Sequence, residues 1–286
     1  MILVVGLSPA WQRTLEFSDM RIGKVNRAGR VLETASGKGV NVVRVARQLG
    51  ANVRLLTVAG GHRSQLLTQS LKDQRIPAQV VHVATETRIC QTLLDGEAIT
   101  ELVEEAGPLR GAEVTRVVSA FERELRRARL VVLTGTVPPG CGDDFYARLI
   151  AKIRVPVLVD VQGRQLVNAV RAAVFVVRIN RHEFAAVPKL DRGSAQWLVI
   201  SDGQRPVSVF HGRETFRLRP PPVKTLNSVG SGDAMMAGIA YGLCRGQSVP
   251  EAIRLGVACG SANALTLVPG FVRRTDVNRL LKRRWT

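Results

Sequence analysis

Two glycines flank a serine in Asn227-Ser228-Val229-Gly230-Ser231-Gly232-Asp233, and the chain continues into Ala234-Met235-Met236-Ala237-Gly238-Ile239-Ala240 without a proline. Glycine lets a backbone approach a ligand closely. The first turn of a helix offers unpaired N–H groups and a positive dipole end, so a phosphate binds naturally there. Asp233 falls in that first turn. A carboxylate beside a bound phosphate is repelled by it. A general base that takes the proton of an attacking hydroxyl during phosphoryl transfer would justify that repulsion. On spacing alone, an ordinary Gly-Ser-Gly loop with an Asp that complements the helix dipole is an equal reading. The segment is not a dinucleotide fingerprint, because Met235 takes the third glycine position, nor is it a Walker A loop. The only Gly-Lys pairs, Gly23-Lys24 and Gly37-Lys38, are not followed by Ser or Thr.

Other reactive residue types are scattered. Cys90, Cys141, Cys244 and Cys259 form no C-x-x-C pair, and no signal peptide is recognisable, so a reduced, cytoplasmic setting is expected. Met1–Gly6 is too short for a signal core and lacks a basic flank. His62, His82, His182 and His211 lack zinc-site spacing. No apolar run approaches the roughly 18 residues of a membrane span, so no membrane partner is expected.

The charge is the odd compositional feature of these 286 residues: 41 Lys+Arg against 23 Asp+Glu, a net +18. It points to nucleic acid, an anionic membrane surface or small anionic substrates. Seven of the basic residues are Lys, leaving 34 Arg. The densest groups, Arg123-Arg126-Arg127-Arg129 and Lys282-Arg283-Arg284, sit at helical spacing among apolar residues, as solvated helix faces do. With two Tyr and eight Phe, no basic stripe with stacking aromatics is apparent, which disfavours a nucleic-acid partner.

The elements that must carry these residues alternate. Residues 2–6 read as a buried strand ending in Gly. Residues 37–49 carry Val40, Val43, Ala46 and Leu49 at helical period, stopped by Gly50. Strand 53–58 follows. Helix 112–127 leads into strand 130–133, helix 143–152 into strand 155–159, and helix 163–171 into strand 174–177. That alternation predicts a mostly parallel sheet covered on both faces. Residues 10–34 break it with extended segments at 13–17 and 27–34. Residues 88–103 break it with a hairpin turning at Asp95-Gly96. These two insertions predict a small β lid. Residues 196–219 hold three more strands, and 231–244, 249–265 and 275–283 are helical.

In this setting Asn227–Asp233 resembles the signature of the ribokinase-like sugar kinases, the phosphofructokinase B family, and the likeness extends over most of the chain. Leu7-Ser8-Pro9-Ala10 is similar to the family's N-P-A segment, and Ser36-Gly37-Lys38-Gly39-Val40-Asn41 to G-G-K-G-x-N. Thr87-Arg88-Ile89, Thr100-Glu101-Leu102 and Thr134–Gly140 resemble further blocks in the same order. Asn180-x-x-Glu183 resembles N-x-x-E. The G-K-G-x-N form with T-R-I and T-E is similar to the branch acting on phosphorylated hexoses.

The resemblance implies a three-layer α/β, ribokinase-like fold with a core of residues 1–9, 36–84 and 104–286 and a lid of 10–35 and 85–103. Lids of this kind often pair, which implies a homodimer through the lid. It implies an ATP-dependent kinase that phosphorylates a primary hydroxyl of fructose 1-phosphate, fructose 6-phosphate or tagatose 6-phosphate. Asp233 would be the base, and Gly230, Ser231 and Gly232 the anion hole. Lys38 and Arg88 would grip the sugar's phosphate. Gln12, Gly37, Gly39, Asn41, Glu101 and Thr136 would complete the sugar site. Asn180, Ser201, Asp202, Gly203, Lys224 and Asn263 would meet the nucleotide. Asn180 and Glu183, three apart on a helix, would share a face and orient Mg²⁺ through water; on spacing alone they are a surface pair.

Three positions depart from the pattern. Gln12 stands where an acidic residue usually meets sugar hydroxyls. Arg178-Ile179-Asn180 replaces K-P-N. Ser201–Pro206 lacks the second glycine of the nucleotide loop. Two other readings stay open: a kinase for an unphosphorylated sugar or a nucleoside, and a non-catalytic sugar-phosphate sensor or nucleic-acid binder on the same fold.

Overall fold

The computed structural model describes residues 1–96, 98–187 and 195–283; Arg284 of the basic tail lies outside them. The first strand, β1 (Ile2–Val5), shows how the body is built. Its side chains alternate between two hydrophobic clusters, Ile2 and Val4 on one face and Leu3 and Val5 on the other. A sheet buried on both faces needs such unbroken apolar strands.

The chain then forms β2 (Ala10–Phe17), β3 (Arg30–Ser36), α1 (Lys38–Gln48), β4 (Val53–Gly60), α2 (Arg63–Asp73) and β5 (Ala78–Val83). Next come β6 (Arg88–Asp95), β7 (Ala98–Val103), α3 (Gly111–Leu125), β8 (Leu130–Thr134), α4 (Phe145–Ile150), β9 (Val157–Asp160) and α5 (Gly163–Ala169). It closes with β10 (Val176–Asn180), α6 (Arg181–Ala185), β11 (Trp197–Asp202), β12 (Arg205–His211), β13 (Glu214–Leu218), α7 (Ser231–Cys244), α8 (Val249–Asn263) and α9 (Arg274–Leu281).

Among the described residues, nine strands make one sheet in the order β13-β12-β11-β10-β9-β8-β1-β4-β5. The seven from β11 to β5 run parallel, and β12 and β13 are antiparallel additions at one edge. Residues of α1, α2, α7, α8 and α9 fill one cluster, and those of α3, α4 and α5 fill the other. The α/β class with a mostly parallel sheet is therefore as expected. A second sheet, β3-β2-β6-β7, stands beside this body, with β2 antiparallel to β3 and parallel to β6. No described helix is long and apolar enough to cross a membrane.

Helix α2 and strand β5 went unread in the sequence. Helix α2 buries only Leu67 and Leu71, and β5 is an edge strand with a single buried residue, Val81. Neither displays the apolar periodicity that marks its neighbours. Strand β10 also runs further than its apolar stretch suggests, to Asn180, because Arg178 is buried within it.

Helix α7 carries the glycine-rich segment and lies against α8 at backbone distance. A Cβ on Gly238 would sit 2.7 Å from the Gly256 Cα, and one on Gly256 would sit 2.6 Å from the Met235 carbonyl. Gly256→Val would force the pair apart. Overpacking of this kind costs about 1–3 kcal/mol, more than the gain in helix propensity of at most about 1 kcal/mol. Urea unfolding should show a destabilised protein, whereas unchanged stability would mean that the helices separate freely.

Candidate active site

Lys38, Asn180, Glu183 and Asp233 lie near the ends of the parallel strands. Gly230 adopts φ 81°, a left-handed conformation that suits glycine, and is the N-cap of α7. A Cβ there would overlap the backbone of Gly270. Ser231 opens the helix, and its N–H is spent on the Ser228 carbonyl at 3.1 Å. The amides of Gly232 and Asp233 lie in the first turn, where the helix provides no acceptor. Of the three residues expected to form the anion hole, Ser231 thus has its N–H engaged within the loop.

Asp233 is 5% exposed and accepts a hydrogen bond from Asn41 Nδ2 at 2.8 Å. Burial pushes its carboxyl up to about 7; the Lys38 ammonium, the Asn41 bond and Arg178 oppose that rise, and the Asp160 carboxylate adds to it. A buried acid set near neutrality is suited to general-base work.

Lys38 begins α1 after Gly37, whose φ of 101° and close approach to Pro9 and Ser8 leave no room for a side chain. Gly39 packs on Gly6 just as tightly, its would-be Cβ 2.8 Å from the Gly6 Cα. Lys38 Nζ lies 2.8 Å from Asp160 Oδ1 and 3.6 Å from Glu183 Oε1, with a third of the side chain still accessible. Burial lowers its affinity for a proton, but Asp160, Glu183 and Asp233 outweigh that and raise its pKa above the usual value. Asp160, 1% exposed at the end of β9, also receives Arg178 Nη1 at 2.9 Å. Burial alone would push the Asp160 carboxyl up, yet the two cations hold it below the usual range.

Neither Asp160 nor Arg178 was a sequence candidate for the site. Asp160 gives no local signal beyond ending an apolar strand. Arg178 was visible only as the departure from K-P-N. Its guanidinium lies directly against Gly232, where a Cβ would overlap it, and its Nη2 donates to Ser201 Oγ at 2.7 Å. Glycine at 232 thus admits an arginine against the first turn of α7.

Lys38 and Arg88 line one cavity of about 160 Å³ with Gly39 and Thr136, joined by Gly6, Ser8, Val103, Glu105, Thr134, Gly135 and Gln162. Arg88 donates to the Ser8 and Glu104 carbonyls. Thr136 donates to Ser8 Oγ at 3.1 Å. Glu101 lies on exposed β7 and does not line that cavity; Val103 and Glu105, from the same segment, do. Gln12 is 4% exposed and spends its amide on Thr92 Oγ1 and the Arg13 carbonyl, which binds β2 to β6 instead of facing the cavity.

Of the residues expected to meet the nucleotide and its metal, Asn180 and Glu183 do not share a helix face. Asn180 is the N-cap of α6: its Oδ1 accepts the Glu183 N–H at 2.8 Å, and Glu183 Oε2 accepts the Asn180 N–H at 3.0 Å. Three-residue spacing here makes a capping box. Asn263, fully buried, donates to the Val229 carbonyl and Ser231 Oγ and accepts from Phe271 N. It braces the loop before α7 and has no polar atom left over for an adenine. Ser201, next to last in β11, accepts from Arg178. Asp202 pairs with Arg181 at 2.7 Å, and Gly203, with φ 56°, turns the chain into β12. Lys224 is exposed in the segment before Asn227.

A resident metal finds no cage, since no group of three or more His, Cys, Asp or Glu among the described residues could hold one. Glu183 has one oxygen beyond its cap, facing Lys38. That donor set fits Mg²⁺ only as an ion carried on nucleotide phosphates and reached through water.

The chain matches the model of the pfkB family of carbohydrate kinases over residues 1–268 and belongs to that family. Its architecture is similar to that of phosphofructokinase-2 from Escherichia coli in complex with substrates and products (TM-score 0.87, 23% identity, 98% of each chain). It is similar also to a possible 1-phosphofructokinase from Thermotoga maritima (0.88, 20%, 98% of this chain and 97% of that one). A ribokinase from Thermotoga maritima also shares the fold (0.78, 17%, 99% of each). Membership in the family makes the chain a phosphotransferase with an alcohol acceptor.

Because burial raises the Asp233 carboxyl to about 7, folding favours its protonated form. That contribution to stability is present at low pH and is lost as pH rises through the folded pKa. Asp233→Asn should therefore melt above the wild type at pH 8, with the gap narrowing as pH falls through 7 towards 4. An identical melting temperature at every pH would mean that Asp233 is not desolvated.

Proposed function

We propose that this pfkB-family carbohydrate kinase transfers the γ-phosphate of ATP to a primary hydroxyl of a phosphorylated hexose of the fructose or tagatose type. The observation that carries the reading is the placement of Asp233. It is buried in the first turn of α7, bonded to Asn41 and within the field of Lys38 and Arg178, and the same Lys38 lines a cavity with Arg88.

In this mechanism the sugar's phosphate meets Arg88 and Lys38 in the cavity. The ammonium has three donors and gives only one to Asp160 as a close bond. Asp233 accepts the proton of the attacking hydroxyl as the oxygen reaches the γ-phosphorus. The N–H groups of Gly230, Gly232 and Asp233 stabilise charge on the transferring group, and ADP leaves. Arg178 adds a fixed positive charge at Gly232, held by Asp160 and Ser201 so that it need not reorganise during the reaction. Mg²⁺ bound to the nucleotide would neutralise part of the phosphate charge, and the free oxygen of Glu183 would meet its water. The sheet of β2, β3, β6 and β7 would close over the sugar and could pair with a second copy.

ADP release with Mg·ATP should be fast with one of fructose 6-phosphate, fructose 1-phosphate or tagatose 6-phosphate and slow with fructose. Asp233→Asn should remain folded and lose turnover by about 10²–10⁴-fold. Lys38→Ala and Arg88→Ala should raise KM for the sugar phosphate by about 10- to 100-fold, the range set by losing one charged hydrogen bond. Equal turnover of fructose and its phosphates, with both substitutions harmless, would replace this reading with a kinase for an unphosphorylated sugar.

A further inference from the structure

Arg44 is 5% exposed in the middle of α1, and no carboxylate among the described residues lies within ion-pair distance of it. Burying a charge without a counter-ion is costly, so its retention calls for compensation. That compensation is a complete set of neutral acceptors. Nε donates to Gln74 Oε1 at 2.6 Å; Nη1 donates to Asn41 Oδ1 at 3.0 Å and to the Pro269 carbonyl at 2.8 Å; Nη2 donates to the Ala35 carbonyl and to Thr34 Oγ1 at 3.4 Å. All five guanidinium hydrogens are thereby spoken for.

One of those acceptors matters to the reaction. Arginine donates and never accepts, so the end of the Asn41 amide that faces it must be the oxygen. Ser36 Oγ, which donates to the same oxygen at 3.0 Å, reinforces that choice. The amide nitrogen is then left pointing at Asp233 Oδ2, 2.8 Å away. Flipping the amide would set N–H groups against the guanidinium and an oxygen against the carboxylate. Sequence reading assigned Asn41 to sugar hydroxyls; the structure spends its NH₂ on Asp233 and its oxygen on Arg44 and Ser36.

We infer that Arg44 is a positioning residue for phosphoryl transfer, fixing the Asn41 amide so that its NH₂ supports the Asp233 carboxylate. Arg44 reaches β3 through Thr34 and Ala35, α2 through Gln74, and the Pro269-Gly270 turn that packs on Gly230. The base is thereby tied to the small sheet and to the anion hole through one side chain. Four charged groups act on Asp233: Lys38 and Arg44 on α1, Asp160 at the end of β9 and Arg178 on β10. Of the two on α1, Arg44 alone touches the amide that holds the base.

The inference rests on Asp233 being the base, and the test separates the two claims. The dependence of kcat and KM on pH is measured for wild type, Arg44→Lys, Arg44→Met, Ser36→Ala and Asp233→Asn, with melting curves establishing the folded fraction. Losing the support of the carboxylate makes it a stronger proton acceptor, so its acidic limb moves to higher pH. Arg44→Met should show that move by about one unit, with kcat down about tenfold or more and KM within about threefold. Ser36→Ala should give a smaller shift in the same direction, and Arg44→Lys, which still donates, should recover part of the loss. If Arg44→Met does not fold, Ser36→Ala and Arg44→Lys decide the matter. A wild-type limb that stays put in the folded variants overturns the role of Arg44 while leaving Asp233 as base. Normal turnover by Asp233→Asn overturns both.

Discussion

One electrostatic constraint governs the site: the carboxyl of Asp233 lies where burial disfavours its charge. Asp233 is buried in the first turn of α7, so solvent cannot stabilise it. Fixed groups take the place of solvent. Asn41 supplies a hydrogen bond, Lys38 and Arg178 supply positive charge, and Asp160 sits between those two cations and prevents their repulsion from dispersing them. Net charge inside the site is thus balanced to leave Asp233 near neutrality on the pH scale, neither locked as a weak base nor locked as an acid.

The fold makes that balance possible by delivering the groups from separate strands. Thr134 ends β8, Asp160 ends β9, Asn180 ends β10 and Asp202 ends β11, all at the carboxyl edge of the parallel sheet. Ligands of open α/β sheets bind outside that edge. Lys38 opens α1 and Asp233 lies in the first turn of α7, and the ammonium acts on the carboxyl. Glycines set the spacing: Gly39 lets α1 rest on Gly6, Gly230 lets α7 begin against Gly270, and Gly232 leaves space for a guanidinium. Each is a backbone approach that a methyl group would block.

What the sequence displays of this depends on the range of the interaction. Alternating helices and apolar strands reveal the layered body because burial on both faces is written locally. Gly230–Asp233 stands out for the same reason. The polar partners are another matter. Asn41 meets Asp233 across 192 residues, and Lys38 meets Asp160 across 122. Nothing near Asp160, Arg178 or Arg44 in the chain announces those contacts. Spacing also misleads where one pattern has two uses. Asn180 and Glu183 three apart make a reciprocal cap, and Asn263 in a helix braces a loop. The +18 charge illustrates the same limit. Composition says that cations are abundant and the motifs single out Lys38 and Arg88, but only the fold sets Arg178 and Arg44 among them.

The central claim is that burial and its partners place the ionisation of Asp233 near neutral pH. A ¹³C-carboxyl NMR titration of the ligand-free protein, with Asp233→Asn used to assign the resonance, measures this directly. The carboxyl should titrate at about 7. A resonance that titrates near 4, as an exposed aspartate does, would contradict it.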